Sequence, residues 1–269
     1  MKLVTVATHS ERYFPYLLKS CERFDIDLVV LGWNQKWNGF LMKYNLMNEY
    51  LQTLDDEEIV CFVDALDVIV LEPLSKLEML YRDSGKQIVV AIEQHNNIFN
   101  LAYFGKCEDT PINSGTYIGK AVYLKLLLKN ICLDYDCTNN RLDDQRILTT
   151  YCRMKRDPII SLDYDQTFFL TALPDVNRKT IIIIDKKLTY KNHTPCILHA
   201  AGKHSIDKII LDLGYDICVG EVLHKKVRDF AIWNIFGIIP LKLYTIISVM
   251  LIIIVCIVYG LIPIKKNLL

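Results

Sequence analysis

The sequence predicts an α/β domain with a mostly parallel β-sheet flanked by helices, followed by a C-terminal transmembrane helix. Residues 2–8 and 27–32 are short apolar runs separated by a helical segment, which is the strand–helix–strand order that begins a parallel sheet. Residues 59–71 form a longer run rich in Ile and Val, as expected of a buried central strand. Residues 243–264 are uncharged and mostly aliphatic, and the run is long enough to cross a bilayer.

The remaining segments continue the alternation of helices and strands. Helices are expected over residues 41–54, 73–82, 121–131 and 143–154, and strands over residues 87–92, 112–119, 158–169, 179–185 and 195–199. Asp163 and Asp165 break the strand at 158–169. The polar residues 96–111 are expected to form an irregular rim or lid. We therefore divide the chain into a domain at 1–225, a juxtamembrane linker at 226–242, the transmembrane helix at 243–264 and a short basic tail at 265–269.

Composition excludes some partners and favours one compartment. The 31 basic and 31 acidic residues give a formal net charge of zero, so no overall field attracts nucleic acid, and we expect no nucleic-acid partner. The 9 cysteines are scattered and include no CxxC pair. This pattern favours reduced thiols in a protein that faces the cytosol over a disulfide framework or a zinc site.

Two carboxylates, Asp64 and Asp67, interrupt the predicted central strand. Residues three apart on a continuous strand point to opposite faces, so both can serve one centre only if the strand ends near Asp64 and the backbone turns. Carboxylates that converge at the end of a central strand are suitable ligands for Mn²⁺ or Mg²⁺. The alternative is an ordinary acidic turn. A phosphatase with two aspartates spaced two apart is disfavoured, because these are three apart.

Other polar and aromatic residues lie close to predicted strand ends. Trp33 and Trp37 lie in a Gly/Asn loop, where their rings either stack on a base or sugar or cover the edge of the core. Lys43, near the start of the next helix, either meets a phosphate or is solvated. Glu93 directly follows a predicted strand.

Two further groups lie in the C-terminal half of the predicted domain. Asp143 and Asp144 precede a helix, whose dipole by itself accounts for adjacent acidic residues. His199 follows a short apolar strand and precedes a small-residue loop with Gly202. The histidine is either structural or a third metal ligand with a phosphate-facing loop behind it.

Taken in order, these motifs resemble the glycosyltransferase domain of procollagen lysyl hydroxylases. The resemblance spans roughly residues 3–215, and the ordered combination is more specific than any single motif. The matching segments are VTVAT at 4–8, WNG at 37–39, FVDALDVI at 62–69, INSG at 112–115 with IG at 118–119, DDQ at 143–145, and LH at 198–199 with Gly202.

The resemblance implies a GT-A fold that uses a UDP-sugar and Mn²⁺, with Mg²⁺ as the alternative metal. It implies that Asp64, Asp67 and His199 hold the metal. The other implied site residues are Thr8 and Lys43 at the nucleotide, and Trp37, Glu93, Asn113, Asp143 and Asp144 around the transferred sugar and the acceptor.

The sequence also departs from that family. Leu66 stands between the two aspartates, where the family often has an aromatic residue that is available to stack on uracil. The loop after His199 reads Ala-Ala-Gly202-Lys203 instead of a Gly-Asn-Gly-Pro type sequence, and Lys203 is expected to supply compensating charge at the diphosphate. The chain has no His-x-Asp pair for an iron-dependent oxygenase.

The expected function is transfer of glucose or galactose from a UDP-sugar to a hydroxyl acceptor, such as hydroxylysine or its galactoside in collagen-like protein. The metal would stabilise the diphosphate leaving group. Asp143 or Asp144 would take the acceptor proton or stabilise an oxocarbenium-like centre. The alternative is a membrane-anchored binding or scaffold protein that retains the transferase fold without turnover.

The expected topology is a single-pass C-terminal anchor with the domain facing the cytoplasm. No N-terminal signal is recognised, and more basic residues precede the apolar run than follow it. Against this, a glycosylation motif is present at residues 192–194, and the resembling family works in the lumen of the endoplasmic reticulum. We weigh the missing signal more heavily and expect Asn192 to remain unmodified.

Overall fold

The computed structural model describes residues 1–93, 98–137, 139, 141–155, 159–172, 180–202 and 205–217. The chain divides into two units, Met1–Asp216 and Ile217–Leu269, and all the elements below belong to the first. The strands are β1 (Lys2–Val6), β2 (Leu28–Leu31), β3 (Ile59–Asp64), β4 (Val68–Val70), β5 (Ile88–Ile92), β6 (Ile112–Lys120), β7 (Ile160–Leu162), β8 (Phe169–Thr171), β9 (Ile181–Ile184), β10 (Lys187–Tyr190) and β11 (Ile197–His199). The helices are α1 (Phe14–Arg23), α2 (Met42–Leu51), α3 (Leu74–Ser84), α4 (Ile98–Phe104), α5 (Ala121–Asp134), α6 (Asp144–Lys155) and α7 (Asp207–Asp212).

Six strands form the main sheet, in the order β2-β1-β3-β6-β5-β7. β1 pairs in parallel with β2 and β3, and β5 with β7, whereas β6 is antiparallel to both of its neighbours. The sheet is therefore mixed, and the prediction of a mostly parallel sheet is corrected at β6. The reason is the connection before this strand: the N–H of Glu93 donates to the carbonyl of Pro111 at 2.9 Å, so the chain returns to the edge where β5 ends.

The main sheet is buried on both faces, as β3 shows. Val60 and Phe62 belong to a core cluster that includes residues of α2, α5 and α6. Cys61 and Val63 belong to a second cluster that includes residues of α1 and α3. Because successive side chains of a strand point to opposite faces, a strand covered on both sides is apolar throughout, as β3 is up to Asp64.

The predicted break in the central strand is confirmed. β3 ends at Asp64, and the apolar residues after Asp67 form β4, which belongs to a separate three-stranded sheet in the order β4-β11-β8. β11 runs antiparallel to β4 and parallel to β8. A small hairpin of β9 and β10 completes the strands of this unit.

Two predicted segments differ from the structure. Residues 96–111, expected to be irregular, contain α4. Residues 158–169, expected to form a strand broken by Asp163 and Asp165, contain β7 and the first residue of β8, which lie in different sheets. The carboxylate of Asp163 accepts the backbone N–H groups of Phe168 and Phe169 at 2.9 and 2.8 Å, and these bonds hold a turn between the two strands.

The prediction of reduced thiols is wrong for four cysteines. Cys107 forms a disulfide with Cys152, and Cys132 forms one with Cys137. No sequence pattern indicates the first pair, because its members become neighbours only when α4 packs against α6. Among the described cysteines, the remaining thiols are Cys21, Cys61 and Cys196, and all three are buried.

Within the described ranges, no helix combines the length and the apolar character needed to cross a bilayer. The predicted transmembrane helix at 243–264 lies outside those ranges. The same is true of the linker, the basic tail and the predicted domain boundary at 225.

Candidate functional site

Three potential metal ligands meet at one edge of the two sheets. Asp64 ends β3, Asp67 immediately precedes β4, and His199 ends β11. β11 pairs with β4 so that His199 lies opposite Val68, and the N–H of Ala200 donates to the carbonyl of Asp67 at 2.7 Å. One ligand atom from each of the three side chains lies within 4.8 Å of the others. The structure therefore brings together the residues that the sequence predicted as metal ligands.

The chemistry of these side chains suits a divalent cation. The Nε2 atom of His199 faces the carboxylates, 3.3 Å from Asp67 Oδ1 and 3.9 Å from Asp64 Oδ2. Burial opposes protonation of His199, but the charge of Asp67, a hydrogen bond to it, and the charges of Asp64 and Glu93 together raise the pKa of the imidazole. Two carboxylates and one imidazole form a donor set that Mn²⁺ accepts.

Gly115 leaves space beside these ligands. A Cβ atom at this position of β6 would collide with the imidazole ring of His199 and would lie 2.6 Å from Asp64 Oδ2. The strand therefore passes as close to the ligands as a glycine backbone permits. Sequence reasoning noted this glycine within the INSG motif, but the contact that requires it became visible only in the structure.

Lys43 is buried between two carboxylates. Its Nζ atom lies 2.9 Å from Asp64 Oδ1 and 2.6 Å from Asp144 Oδ2. Burial opposes the charge of Lys43, but the two carboxylates outweigh it and raise its pKa, so the amine stays protonated. Ser114, which sequence reasoning missed, donates to Asp144 Oδ2 at 2.9 Å. A charged network thus joins α2, the start of α6 and the metal-ligand group.

The adjacent aspartates of α6 have different environments. Asp144 is buried and paired with Lys43, so it is more than a residue of the helix N-terminus. Asp143 caps the helix, because its Oδ1 atom accepts the N–H of Arg146 at 2.8 Å. Burial raises the pKa of Asp143, and the hydrogen bond from Arg146 partly opposes that rise.

Glu93 and Asn113 form a second buried polar pair. Asn113 donates to Glu93 Oε2 at 3.1 Å and accepts the N–H of Gly115 at 2.9 Å. Both side chains are buried, although Glu93 carries an ionisable group. Because β6 is antiparallel, its first residues lie at the edge where β5 ends, and the two predicted residues meet there.

Two further predicted site residues, Thr8 and Trp37, contact residues outside the group of metal ligands. Thr8 follows β1, its hydroxyl lies 2.9 Å from His9 Nδ1, and its carbonyl accepts the N–H of Asn34. Trp37 is 42% exposed and makes an edge contact with Phe40, which leaves its ring open to a ligand.

The loop after β11 contacts Arg12, which was not among the predicted site residues. The carbonyl of Gly202 accepts a hydrogen bond from Arg12, and Lys203 lies outside the described residues. Arg12 was missed by sequence reasoning, because an arginine in the polar loop after β1 shows no sign of this contact in the sequence.

Comparison with known proteins identifies the family. The family model described as the PLOD GT domain matches residues 1–212. A procollagen-lysine,2-oxoglutarate 5-dioxygenase of Drosophila melanogaster is 26% identical over 231 residues, covering 77% of this chain and 31% of the relative. A multifunctional procollagen lysine hydroxylase and glycosyltransferase of Caenorhabditis elegans is 34% identical over 77 residues, covering 25% and 10%. The chain thus spans at most about a third of the length of these relatives.

Solved structures agree on the fold. A galactosyltransferase, LgtC, in complex with donor and acceptor sugar analogues aligns with a TM-score of 0.50 at 13% identity, covering 84% of this chain and 100% of that chain. An active-site mutant of LgtC aligns with a TM-score of 0.51 and the same coverage. At this identity the likeness shows a GT-A-like α/β fold. With the family match over residues 1–212, it follows that the chain belongs to the PLOD GT domain family of glycosyltransferase domains.

Proposed function

We propose that this domain is a metal-dependent glycosyltransferase that moves glucose or galactose from a UDP-sugar to a hydroxyl acceptor. The observation that carries the proposal is the group of Asp64, Asp67 and His199, whose ligand atoms lie within 4.8 Å of one another. A bound Mn²⁺ would supply Lewis-acid stabilisation of the diphosphate leaving group. Mg²⁺ is the alternative, because it also prefers carboxylate oxygens.

The surrounding residues have roles that fit this reaction. Lys43, whose pKa is raised by its carboxylate neighbours, is protonated beside Asp64 and is proposed to attract the nucleotide phosphates. Asp144, held by Lys43 and Ser114, and Asp143 are proposed to act on the sugar and the acceptor hydroxyl. Glu93 and Asn113 are proposed to orient the same substrates.

The remaining assignments are proposals from sequence. Trp37 is proposed to stack against the sugar, and Thr8, Gly202 and Lys203 to line the nucleotide site. The names of the two relatives refer to the lysine of procollagen. Hydroxylysine in collagen-like protein, or its galactoside, is proposed as the acceptor. Residues 243–264 are proposed to anchor the protein in a membrane, with the domain facing the cytoplasm.

Measurement of UDP release tests the proposal. The full chain, purified in detergent, is incubated with a panel of UDP-sugars, with Mn²⁺ or with EDTA. We expect release from one UDP-sugar, loss of release in EDTA, and recovery when Mn²⁺ is restored. Asp67→Asn and His199→Ala should lower the rate by about 100-fold or more, since metal stabilisation of a leaving group is worth several kcal/mol.

Asp212→Asn is the matched control for the first substitution, because Asp212 lies on α7 and pairs with the exposed Lys208. It should release UDP at the wild-type rate. Wild-type turnover by Asp67→Asn at limiting Mn²⁺ would show that the metal assignment is wrong. Binding of UDP without release from any UDP-sugar would favour the binding or scaffold protein instead.

A further inference from the structure

Arg12 occupies a strained backbone position in the loop after β1. Its φ is 51°, in the left-handed region that costs a non-glycine residue about 1 kcal/mol. The next residue holds the loop in place, because the N–H of Tyr13 donates to the carbonyl of Leu66, between the two metal-ligand aspartates. The Tyr13 hydroxyl also donates to Asp207 at 2.8 Å. The first of these bonds fixes the loop against the turn that carries Asp64 and Asp67. Together the two bonds account for the strained backbone at Arg12.

The guanidinium group of Arg12 connects the metal ligands to the loop after β11. Its Nη1 atom lies 3.6 Å from Asp67 Oδ2 and donates to the carbonyl of Gly202 at 3.2 Å. The other oxygen of Asp67 faces His199 at 3.3 Å. One oxygen of this carboxylate thus points to the arginine and the other to the ligand group.

The burial of Arg12 decides whether its guanidinium group is a receptor for a phosphate or a group that acts on Asp67. Its side chain is 16% exposed, and its Nη2 atom is buried with no hydrogen-bond partner among the described residues. A guanidinium that is enclosed in this way, with Nη1 already shared between Asp67 and Gly202, is not an open receptor for a phosphate. Its contacts instead act on a proposed ligand of the metal.

We infer that Arg12 is a positioning residue for the metal site. It holds the carboxylate of Asp67 so that Oδ1 faces the metal, and it fastens the loop at Gly202 to the same point. Outer partners that fix a ligating carboxylate in this way typically change metal affinity by about 10- to 100-fold. The inference rests on the proposed function, because it takes Asp67 to be a metal ligand.

Because Arg12 is charged, the direction in which Mn²⁺ affinity changes when it is removed tests the inference. A cation beside a metal site repels the metal, so removing it would tighten Mn²⁺ binding if its charge were its main effect. If positioning dominates, removing it weakens Mn²⁺ binding. The two effects predict opposite changes in the same measured constant.

The experiment measures Mn²⁺ affinity in the presence of UDP, by electron paramagnetic resonance of free Mn²⁺, on the full chain in detergent. Arg12→Met should weaken Mn²⁺ binding about 10- to 100-fold. Arg12→Lys should fall between, because a lysine keeps the charge but its ammonium group, on a flexible stem, holds the carboxylate less firmly than the rigid guanidinium does. Arg12→Gly should also weaken binding while the fold is kept, because glycine accepts the positive φ without strain.

Arg23→Met, at the exposed end of α1, is the control and should leave the affinity unchanged. If UDP release is observed, saturating Mn²⁺ should restore most of the rate in Arg12→Gly, which a general structural defect would not allow. Unchanged or tighter Mn²⁺ binding in Arg12→Gly would overturn the inference, as would a wild-type chain that binds no Mn²⁺. Weakened Mn²⁺ binding without UDP release from the wild type would uphold the inference and reject the proposed transfer.

Discussion

Lys43 shows how single residues set the charge of the site. A buried amine usually loses its proton, yet here the carboxylates of Asp64 and Asp144 keep it charged. Both carboxylates in turn have the ammonium group of Lys43 as an ion-pair partner. Substitution of any of the three therefore changes the charge balance of the whole group.

The first residue-scale prediction concerns Asp144. In Asp144→Asn the side chain can still hydrogen-bond, but Lys43 loses one of its two anionic partners, so we expect destabilisation of about 2 kcal/mol, by urea unfolding. Turnover should fall far more than UDP affinity, because the residue is proposed to act on sugar and acceptor. Equal losses of both would place Asp144 at the donor instead.

The second residue-scale prediction separates the two roles of Asp143. Asn caps a helix about as well as Asp, so Asp143→Asn should keep the cap on Arg146 and change the free energy of unfolding by less than about 0.5 kcal/mol. We expect turnover to fall nonetheless, measured as UDP release. Asp143→Ala is the comparison, because it should lose the cap as well, at about 1 kcal/mol. A fully active Asp143→Asn would restrict this residue to capping.

The individual residues differ in how far the sequence predicts them. Asp64 and Asp67 were predictable because buried carboxylates conflict with an apolar strand. His199 was predictable as a candidate from its strand end and, more firmly, from a family resemblance. Arg12 and Ser114 were not, because an arginine in a polar loop and a serine in a strand look ordinary until the fold places them beside Asp67 and Asp144.

At the scale of elements, the close passage of β6 past the ligands gives a steric prediction. Gly115→Ala adds a Cβ atom 2.6 Å from Asp64 Oδ2 and against the ring of His199. We expect Mn²⁺ binding to be lost while the chain still folds, measured by calorimetry with Mn²⁺ and by circular dichroism. Gly85→Ala is the control, because its φ of 62° costs about 1 kcal/mol but no atom lies within 4 Å of its new Cβ. Wild-type Mn²⁺ affinity in Gly115→Ala would contradict the ligand geometry.

The disulfides give the second element-scale prediction. Cys107 and Cys152 are separated by 45 residues and Cys132 and Cys137 by 5, so the first bond closes the longer loop and should stabilise the domain more. We expect Cys107→Ser with Cys152→Ser to lower the free energy of unfolding by about 4 kcal/mol, and the other pair by about 2 kcal/mol. Urea unfolding with and without a reductant measures both, and mass spectrometry counts free thiols. Free thiols at all four of these cysteines in the untreated protein would restore the prediction of reduced cysteines.

A helix or strand was predictable where its own residue pattern determines it. It was not predictable where contacts with other segments of the chain determine it. The apolar run at residues 59–71 showed a strand and its break, because the two aspartates lie within the run. Asp163 was visible in the sequence as a break in the strand at 158–169. The direction of β6, however, depends on where Glu93 and Pro111 meet, and the placing of β7 and β8 in different sheets depends on the bonds that Asp163 makes. Neither contact leaves a periodic signal in the sequence.

At the scale of the whole molecule, the orientation at the membrane stays a prediction. The flanking basic residues favour a domain in the cytoplasm, whereas the two disulfides favour an oxidising compartment. Asn192 is exposed and lies in a turn with a φ of 68°, so a lumenal domain would present it to glycosylation. The basic residues concerned are Lys225, Lys226, Arg228 and Lys242 before the apolar run, and Lys265 and Lys266 after it.

We expect protease added outside intact microsomes to digest the domain, and we expect Asn192 to remain unmodified. The readouts are the size of the protected fragment and any mobility shift on enzymatic deglycosylation. Thr194→Ala is the control, because it removes the acceptor motif and should abolish any shift. A protected domain with a shift that Thr194→Ala removes would place it in the lumen and make secretory-pathway collagen the leading acceptor.

The pairing of β11 with β4 also sets the order in which the site is completed during synthesis. His199 lies opposite Val68, so the third ligand arrives 131 positions after its strand partner. At a ribosomal rate of about 5–20 residues per second, the two aspartates emerge roughly 7 to 26 seconds before the histidine. During that interval Lys43 and Arg12, which are made earlier still, are available to neutralise both carboxylates. If the domain is metal-dependent as proposed, the nascent chain would be a poor trap for stray cations, and the metal would be taken up only by the finished fold.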